Sequence, residues 1–229
     1  MIISHAHKFI FLKTTKTAGT SIEIALSEFC GSRDIITPVS AEDEKIRTVL
    51  GYRGPQNYIV PFADYSVKDM LYFMIRGKRK RYFNHISAKV VRRFIGKETW
   101  QSYFKFCFVR NPWDRAVSQY YWRRAEGAPH SFTEFLDSGN LRSLKKKGMD
   151  LYIIDGEVAV DRLCRYENMF EELAFISDRL LLPGKLSLPK AKFSSRKHKG
   201  NYRNMFNEIE RDEVANLFAE EIKLLGYKF

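Results

Sequence analysis

Phe9-Ile10-Phe11-Leu12-Lys13-Thr14-Thr15-Lys16-Thr17-Ala18-Gly19-Thr20-Ser21-Ile22-Glu23 is the stretch on which the reading of the chain turns. Its first four residues are an unbroken apolar run and read as a buried strand. Residues 14–19 are small and hydroxyl-rich, which suits a tight turn. From Ser21 onward Ile22, Ile24, Ala25, Leu26 and Phe29, with Gly31 as a stop, suit a helix of about ten residues. A strand, a short loop and a helix start leave backbone N–H groups unpaired at the positive end of the helix dipole, which makes an anion site. Lys16 adds a full positive charge within the loop, so the stretch is expected to hold a phosphate. It is not a Walker A loop, because that motif places its lysine after the second glycine, whereas Lys16 comes three residues before Gly19. Taken by itself, the loop also admits a plainer reading, a strand–helix corner with an incidental lysine.

The surrounding composition allows such a site a large scaffold. With 229 residues and 45% hydrophobic content the chain can build one sizeable core, and the expectation is a single domain over residues 1–229. Lys and Arg number 39 against 27 Asp and Glu, a net charge of +12. That surplus attracts nucleotides, nucleic acid, acidic glycans or membrane surfaces without choosing among them. Cys30, Cys107 and Cys164 are widely separated within apolar runs and read as buried free thiols, not a disulfide framework or a metal site. The start of the chain has no basic segment followed by a long apolar one, so no signal peptide or membrane anchor is expected and the cytoplasm is the expected location.

A second stretch, residues 103–122, repeats the strand-to-helix pattern. The run through Val109 is a buried strand, Asn111 is a strong N-cap, Pro112 suits the first helical position and Asp114 favours the dipole. Ser118 lies seven residues after the cap, two turns on, so Arg110 and Ser118 can reach one anion together, Arg110 as a bidentate fork. A nucleoside triphosphatase would be expected to end such a strand in an Asp that holds Mg²⁺. Here it ends in Arg110, which argues against triphosphate hydrolysis.

The two stretches, in this order, resemble the phosphate-binding elements of sulfotransferases that use 3′-phosphoadenosine-5′-phosphosulfate (PAPS). Lys16-Thr17-Ala18-Gly19-Thr20-Ser21 resembles the 5′-phosphosulfate loop, and Val109-Arg110-Asn111-Pro112-Trp113-Asp114-Arg115 with Ser118 resembles the 3′-phosphate element. The likeness is greatest to the carbohydrate sulfotransferase branch; Thr15 departs from it, standing where many members have proline. The resemblance implies a P-loop-like α/β fold, the sulfotransferase fold, with a central mostly parallel sheet flanked by helices. It implies PAPS as donor and PAP as product, and a hydroxyl acceptor, read as a glycan or other polar small molecule, with no nucleic acid and no transmembrane segment. Lys16 would bind the 5′-phosphate and stabilise the leaving oxygen, and the backbone of Thr17, Ala18, Gly19, Thr20 and Ser21 would hold the same phosphate. Arg110 and Ser118 would bind the 3′-phosphate, and Arg196 and Lys197, in a basic loop over residues 190–203, would contact the nucleotide. Lysine, arginine and the helix dipole supply the positive field, so no metal is required.

His85 is the candidate general base, since it lies between the two elements just before a helix that Ser87 can cap. With an ordinary imidazole pKa its rate would fall below about pH 6; His198 is the substitute. The remaining pattern predicts a helix over residues 64–75 with Val67, Met70, Leu71 and Met74 on a buried face, followed by the densest basic run, residues 76–81. It also predicts a hairpin around Asp155-Gly156, a core strand over 160–166, a helix over 169–182 and one C-terminal helix over 208–225. Two other readings remain open: a P-loop-like kinase with a degenerate loop, and a basic nucleic-acid binder, although no nucleic-acid motif is present.

Overall fold

The computed structural model describes residues 1–189 and 201–229. Its main sheet has the spatial order β3 (Ile35–Ile36), β1 (Ile2–Ser4), β2 (Phe9–Leu12), β4 (Phe104–Val109) and β7 (Arg162–Arg165). β2 pairs parallel with β4, and β4 parallel with β7, while β1 is antiparallel to both β2 and β3. Four of the five strands therefore share one direction, and the sheet is mostly parallel as the alternation of strand and helix predicts. β1 was not expected: three residues are too few for a pattern, and a turn at Lys8, with φ 50°, folds Ile2–Ser4 back onto β2. β5 (Ile153–Ile154) and β6 (Glu157–Val158) form the expected hairpin around Asp155 and Gly156.

Period-two alternation puts the two faces of the sheet into two cores. Ile3, Ile10, Leu12, Cys107 and Val109 point to one, and Ile2, Phe9, Phe11, Phe106 and Phe108 to the other. All are almost fully buried, each aromatic or aliphatic side chain contributing about 1.5–3 kcal/mol by leaving water. In chain order the helices are α1 (Gly19–Ser27), α2 (Ala41–Val49), α3 (Val67–Arg76), α4 (Ala88–Ile95), α5 (Lys97–Ser102) and α6 (Pro112–Ala125). α7 (Phe132–Asp137), α8 (Asn140–Lys146) and α9 (Met169–Arg179) follow. α1 and α9 cover the second face through Ile22, Leu26, Leu173 and Ile176, whereas α4 and α6 cover the first through Val91, Trp113, Ala116 and Tyr120.

Two helices differ from expectation. The C-terminal one is broken at Phe218 into Glu208–Leu217 and Ala219–Leu225, because Phe218 (φ −105°, ψ 19°) leaves the helical region while its ring stays in the core. α3 forms, but none of its residues is buried, so its apolar stripe faces outward. The three cysteines are buried free thiols. Among the described residues no helix is long and apolar enough to cross a membrane.

Candidate active site

β2 leads at Leu12 into a loop whose turn is made by two left-handed residues, Lys16 (φ 64°) and Ala18 (φ 60°). Non-glycine residues adopt that conformation only where the surroundings impose it. Here the loop is tied down on three sides. The Thr14 hydroxyl donates to the Phe108 carbonyl on β4, the Thr17 hydroxyl lies 2.9 Å from that of Thr14, and the Thr15 N–H donates to the Lys147 carbonyl at 3.0 Å. Gly19 is required by space: a Cβ there would sit 2.8 Å from Lys13 Cγ and 3.3 Å from the Thr14 carbonyl oxygen. α1 then starts with no side-chain cap and no acidic residue in its first turn, unlike α2, α3 and α6. Its first amides, at Gly19, Thr20 and Ser21, have no helical acceptor and keep the positive end of the dipole uncompensated.

Two lysines flank the loop, and burial separates their roles. Lys13 is 5% exposed and its ammonium is 2.9 Å from Glu23, itself fully buried. Burial alone would raise the Glu23 pKa, but the Met1 amino group, 2.8 Å away, and then Lys13 hold it below the ordinary carboxylate range. Lys13 is therefore neutralised from within. Lys16 is half-buried, with its ammonium 5.3 Å from the centre of the Trp122 ring on α6. Trp122 lies one turn beyond Ser118, so the face of α6 that carries Ser118 is the face turned toward the loop.

Arg110 is 3% exposed and does not present an open fork. Its Nε donates to Asp114 at 2.8 Å, its Nη1 donates to the Lys16 carbonyl at 2.8 Å, and its plane lies 4.1 Å from the Tyr166 ring centre. The structure thus uses the guanidinium to join β4 to the Lys16 loop, leaving Nη2 and one Nη1 proton for any anion. Ser118 is half-buried and its hydroxyl makes no hydrogen bond among the described residues. Arg196, Lys197 and the substitute base His198 lie outside the described residues.

His85 is brought to the same loop. Its backbone is left-handed (φ 58°), its Nδ1 is 2.9 Å from the Lys13 carbonyl and 3.3 Å from the Thr15 hydroxyl. A carbonyl can only accept, so Nδ1 carries the proton and Nε2 keeps its lone pair. Burial, then the nearby Lys13 ammonium, push the His85 pKa down to about 4. This corrects the expected fall in rate below pH 6, which assumed a solvated imidazole. The arrangement brings together an uncompensated helix start, a lysine, an arginine and a neutral imidazole with a free acceptor nitrogen.

Sequence reading missed Trp122 and Lys147. Trp122 had a signal, since it follows Ser118 by one helical turn. Lys147 reads as part of a solvated basic loop, and its side chain is exposed; its role lies in a backbone carbonyl that no residue type announces. Glu167 accepts from the Asn111 N–H at 2.7 Å, and Arg165 donates to the Leu225 carbonyl, so both tie the fold together.

Residues 1–150, which contain both strand–helix corners and His85, match the Sulfotransferase family. The chain belongs to that family. A protein of Archaeoglobus fulgidus described as uncharacterized is 33% identical over 104 residues, 44% of this chain and 87% of that protein. The crystal structure of mouse sulfotransferase SULT7A1 complexed with PAP aligns with 96% of this chain and 86% of its own, at a TM-score of 0.49 and 12% identity.

Proposed function

We propose that the protein transfers a sulfuryl group from PAPS to a hydroxyl of a carbohydrate. The observation that carries this reading is the open start of α1 beside Lys16, with the bare Nε2 of His85 tied to the same loop. The amides of residues 17–21 and the Lys16 ammonium bind the 5′-phosphate. The remaining donors of Arg110 and the hydroxyl of Ser118 bind the 3′-phosphate, which distinguishes this nucleotide from AMP. His85 Nε2 takes the proton of the acceptor hydroxyl as the acceptor oxygen bonds to sulfur. The bond from sulfur to the 5′-phosphate oxygen breaks, and Lys16 stabilises the charge left on that oxygen. Arg196 and Lys197, outside the described residues, add further contacts to the nucleotide.

Calorimetry with PAP and AMP, alongside transfer of radiolabelled sulfur from PAPS into a panel of glycans and small alcohols, tests the reading. PAP is expected to bind far more tightly than AMP, and label to enter a glycan hydroxyl. Lys16→Ala should lower kcat more than PAP affinity, because the charge it meets is largest in the transition state. Equal affinities for PAP and AMP in the wild type would remove the donor assignment.

A further inference from the structure

Helix α3 is amphipathic, and among the described residues nothing packs against its apolar side. Val67, Leu71, Met74 and Ile75 recur at the spacing of one helical face and are 87%, 57%, 76% and 69% exposed. The helix is well defined all the same. Ser66 and Asp69 form a capping box at its start, and Gly77, at φ 63°, ends it. Its opposite side is the one held by the protein: the Phe73 ring packs 5.0 Å from that of Phe62, and Asp69 pairs with Lys80 at 3.0 Å. The outward stripe therefore belongs to a fixed element.

The charge beside it is strongly of one sign. Between residues 59 and 83 there are six cations, Lys68, Arg76, Lys78, Arg79, Lys80 and Arg81, against Asp64 and Asp69. Lys68, Arg76 and Lys78 are exposed, with no ion pair among the described residues. A second copy meeting this face about a two-fold axis would set these cations against their own equivalents, which is unfavourable. The surface is also a single projecting helix and not a groove, so it suits a partner that can deform around it. An apolar stripe flanked by the exposed Lys68 and followed by the exposed Lys78 is complementary to a bilayer carrying anionic headgroups.

We propose that α3 docks the protein on an anionic lipid surface, with Val67, Leu71, Met74 and Ile75 entering the headgroup–acyl boundary and Lys68 and Lys78 meeting lipid phosphates. The segment that carries α3 closes on itself through Val60 N–H to the Lys80 carbonyl (3.0 Å) and Tyr82 N–H to the Tyr58 carbonyl (2.7 Å). His85 follows Tyr82 by three residues. The ladder that closes the α3 segment thus ends three residues before the candidate base. The inference does not depend on the catalytic reading and stands or falls separately from it.

The test is co-sedimentation of the full chain with phosphatidylcholine vesicles, with and without about 30% phosphatidylglycerol, together with light scattering for mass in solution. The wild type should bind the anionic vesicles and release as salt rises. The triple variant Leu71→Ser/Met74→Ser/Ile75→Ser keeps the net charge, and should bind about tenfold or more weakly if the stripe enters the bilayer. Lys68→Gln/Lys78→Gln should lose much of the preference for anionic vesicles. Undiminished binding by the serine variant would overturn the proposal in favour of adhesion through the overall positive charge. Absence of wild-type binding would also overturn it, and a wild-type dimer that the serine variant makes monomeric would assign the face to a second copy.

Discussion

The β2–α1 and β4–α6 corners are the same construction on adjacent parallel strands, yet they finish in opposite ways. At α6 the helix start is capped internally. Asn111 accepts from the Trp113 N–H at 3.1 Å, its own N–H goes to Glu167, Pro112 has none to offer, and Asp114 meets the dipole and Arg110. At α1 the Ala18 side chain caps nothing, no acid stands in the first turn, and the loop is tied from behind through Thr14, Thr15 and Thr17 while the first amides stay open. A strand, a loop and a helix start do not by themselves make an anion site; what matters is which donors the protein leaves unspent. The two corners are also linked, since Arg110 of the closed one donates to the Lys16 carbonyl of the open one. The closed corner is in that sense a prop for the open one.

The largest effect is expected at the base that leans on the open corner. In His85→Asn the amide can keep donating to the Lys13 carbonyl but offers no Nε2, so turnover should fall by about 10²–10⁴. PAP affinity and thermal stability should stay close to wild type. An active His85→Asn variant beside an inactive, PAP-binding His198→Asn variant would move the base to the C-terminal basic segment. Next comes the residue shared by both corners. If Arg110 reads the 3′-phosphate, Arg110→Ala should remove roughly 1.5–3 kcal/mol of the preference for PAP over AMP. If it only props the Lys16 loop, both nucleotides should weaken equally, and calorimetry on the pair separates these outcomes.

Gly19→Ala acts on the open corner alone. The new methyl meets the Thr14 carbonyl, which is backbone, and Lys13 Cγ, whose side chain is held by Glu23 and cannot swing away. A loss of about 1–3 kcal/mol in denaturant unfolding is expected, with weaker PAP binding. Asn111→Ala acts on the closed corner. It loses a helix cap and bonds to the Lys228 carbonyl (3.0 Å) and the Tyr202 hydroxyl (3.3 Å), about 1–2 kcal/mol in all, while PAP affinity should hold. A drop in PAP affinity as large as that of Gly19→Ala would mean that the corners are not separable.

Both corners were legible in the sequence because each begins in an apolar run, broken in the second only by Lys105, and switches to helical spacing at a marked residue. The difference between them was only half legible. Asn111, Pro112 and Asp114 announce a closed helix start, but the partners of Arg110 do not announce themselves, because one is the carbonyl of a residue 94 positions away. The same holds for Thr15 and Lys147, joined through backbone atoms. β1 was too short to carry a pattern, and the apolar spacing of residues 208–225 continues across the break at Phe218, so periodicity could not locate it. In α3 the pattern was read correctly as an apolar stripe and wrongly as a buried one, since spacing fixes a face but not what covers it.

The smallest effect concerns charge near the open corner, and its sign follows from burial. His85 has a pKa of about 4 in the fold against about 6.5 when solvated, because burial and then the Lys13 ammonium disfavour the imidazolium. A base must be neutral, so kcat/KM should stay level from about pH 8 to about pH 5 and fall only as the pH approaches 4. A group whose pKa is lowered on folding also favours the fold most above its solvated pKa, so this contribution to stability should fade between about pH 6.5 and 4. Lys147 is a lesser cause of the same shift, and its side chain is exposed, so Lys147→Gln can be made without unpairing a buried carboxylate. It should move the acid limb of the rate profile slightly upward and leave the alkaline side unchanged. A wild-type acid limb already centred near pH 6.5 would instead point to a solvated imidazole, and the pH profile of the His198→Asn variant would then identify it.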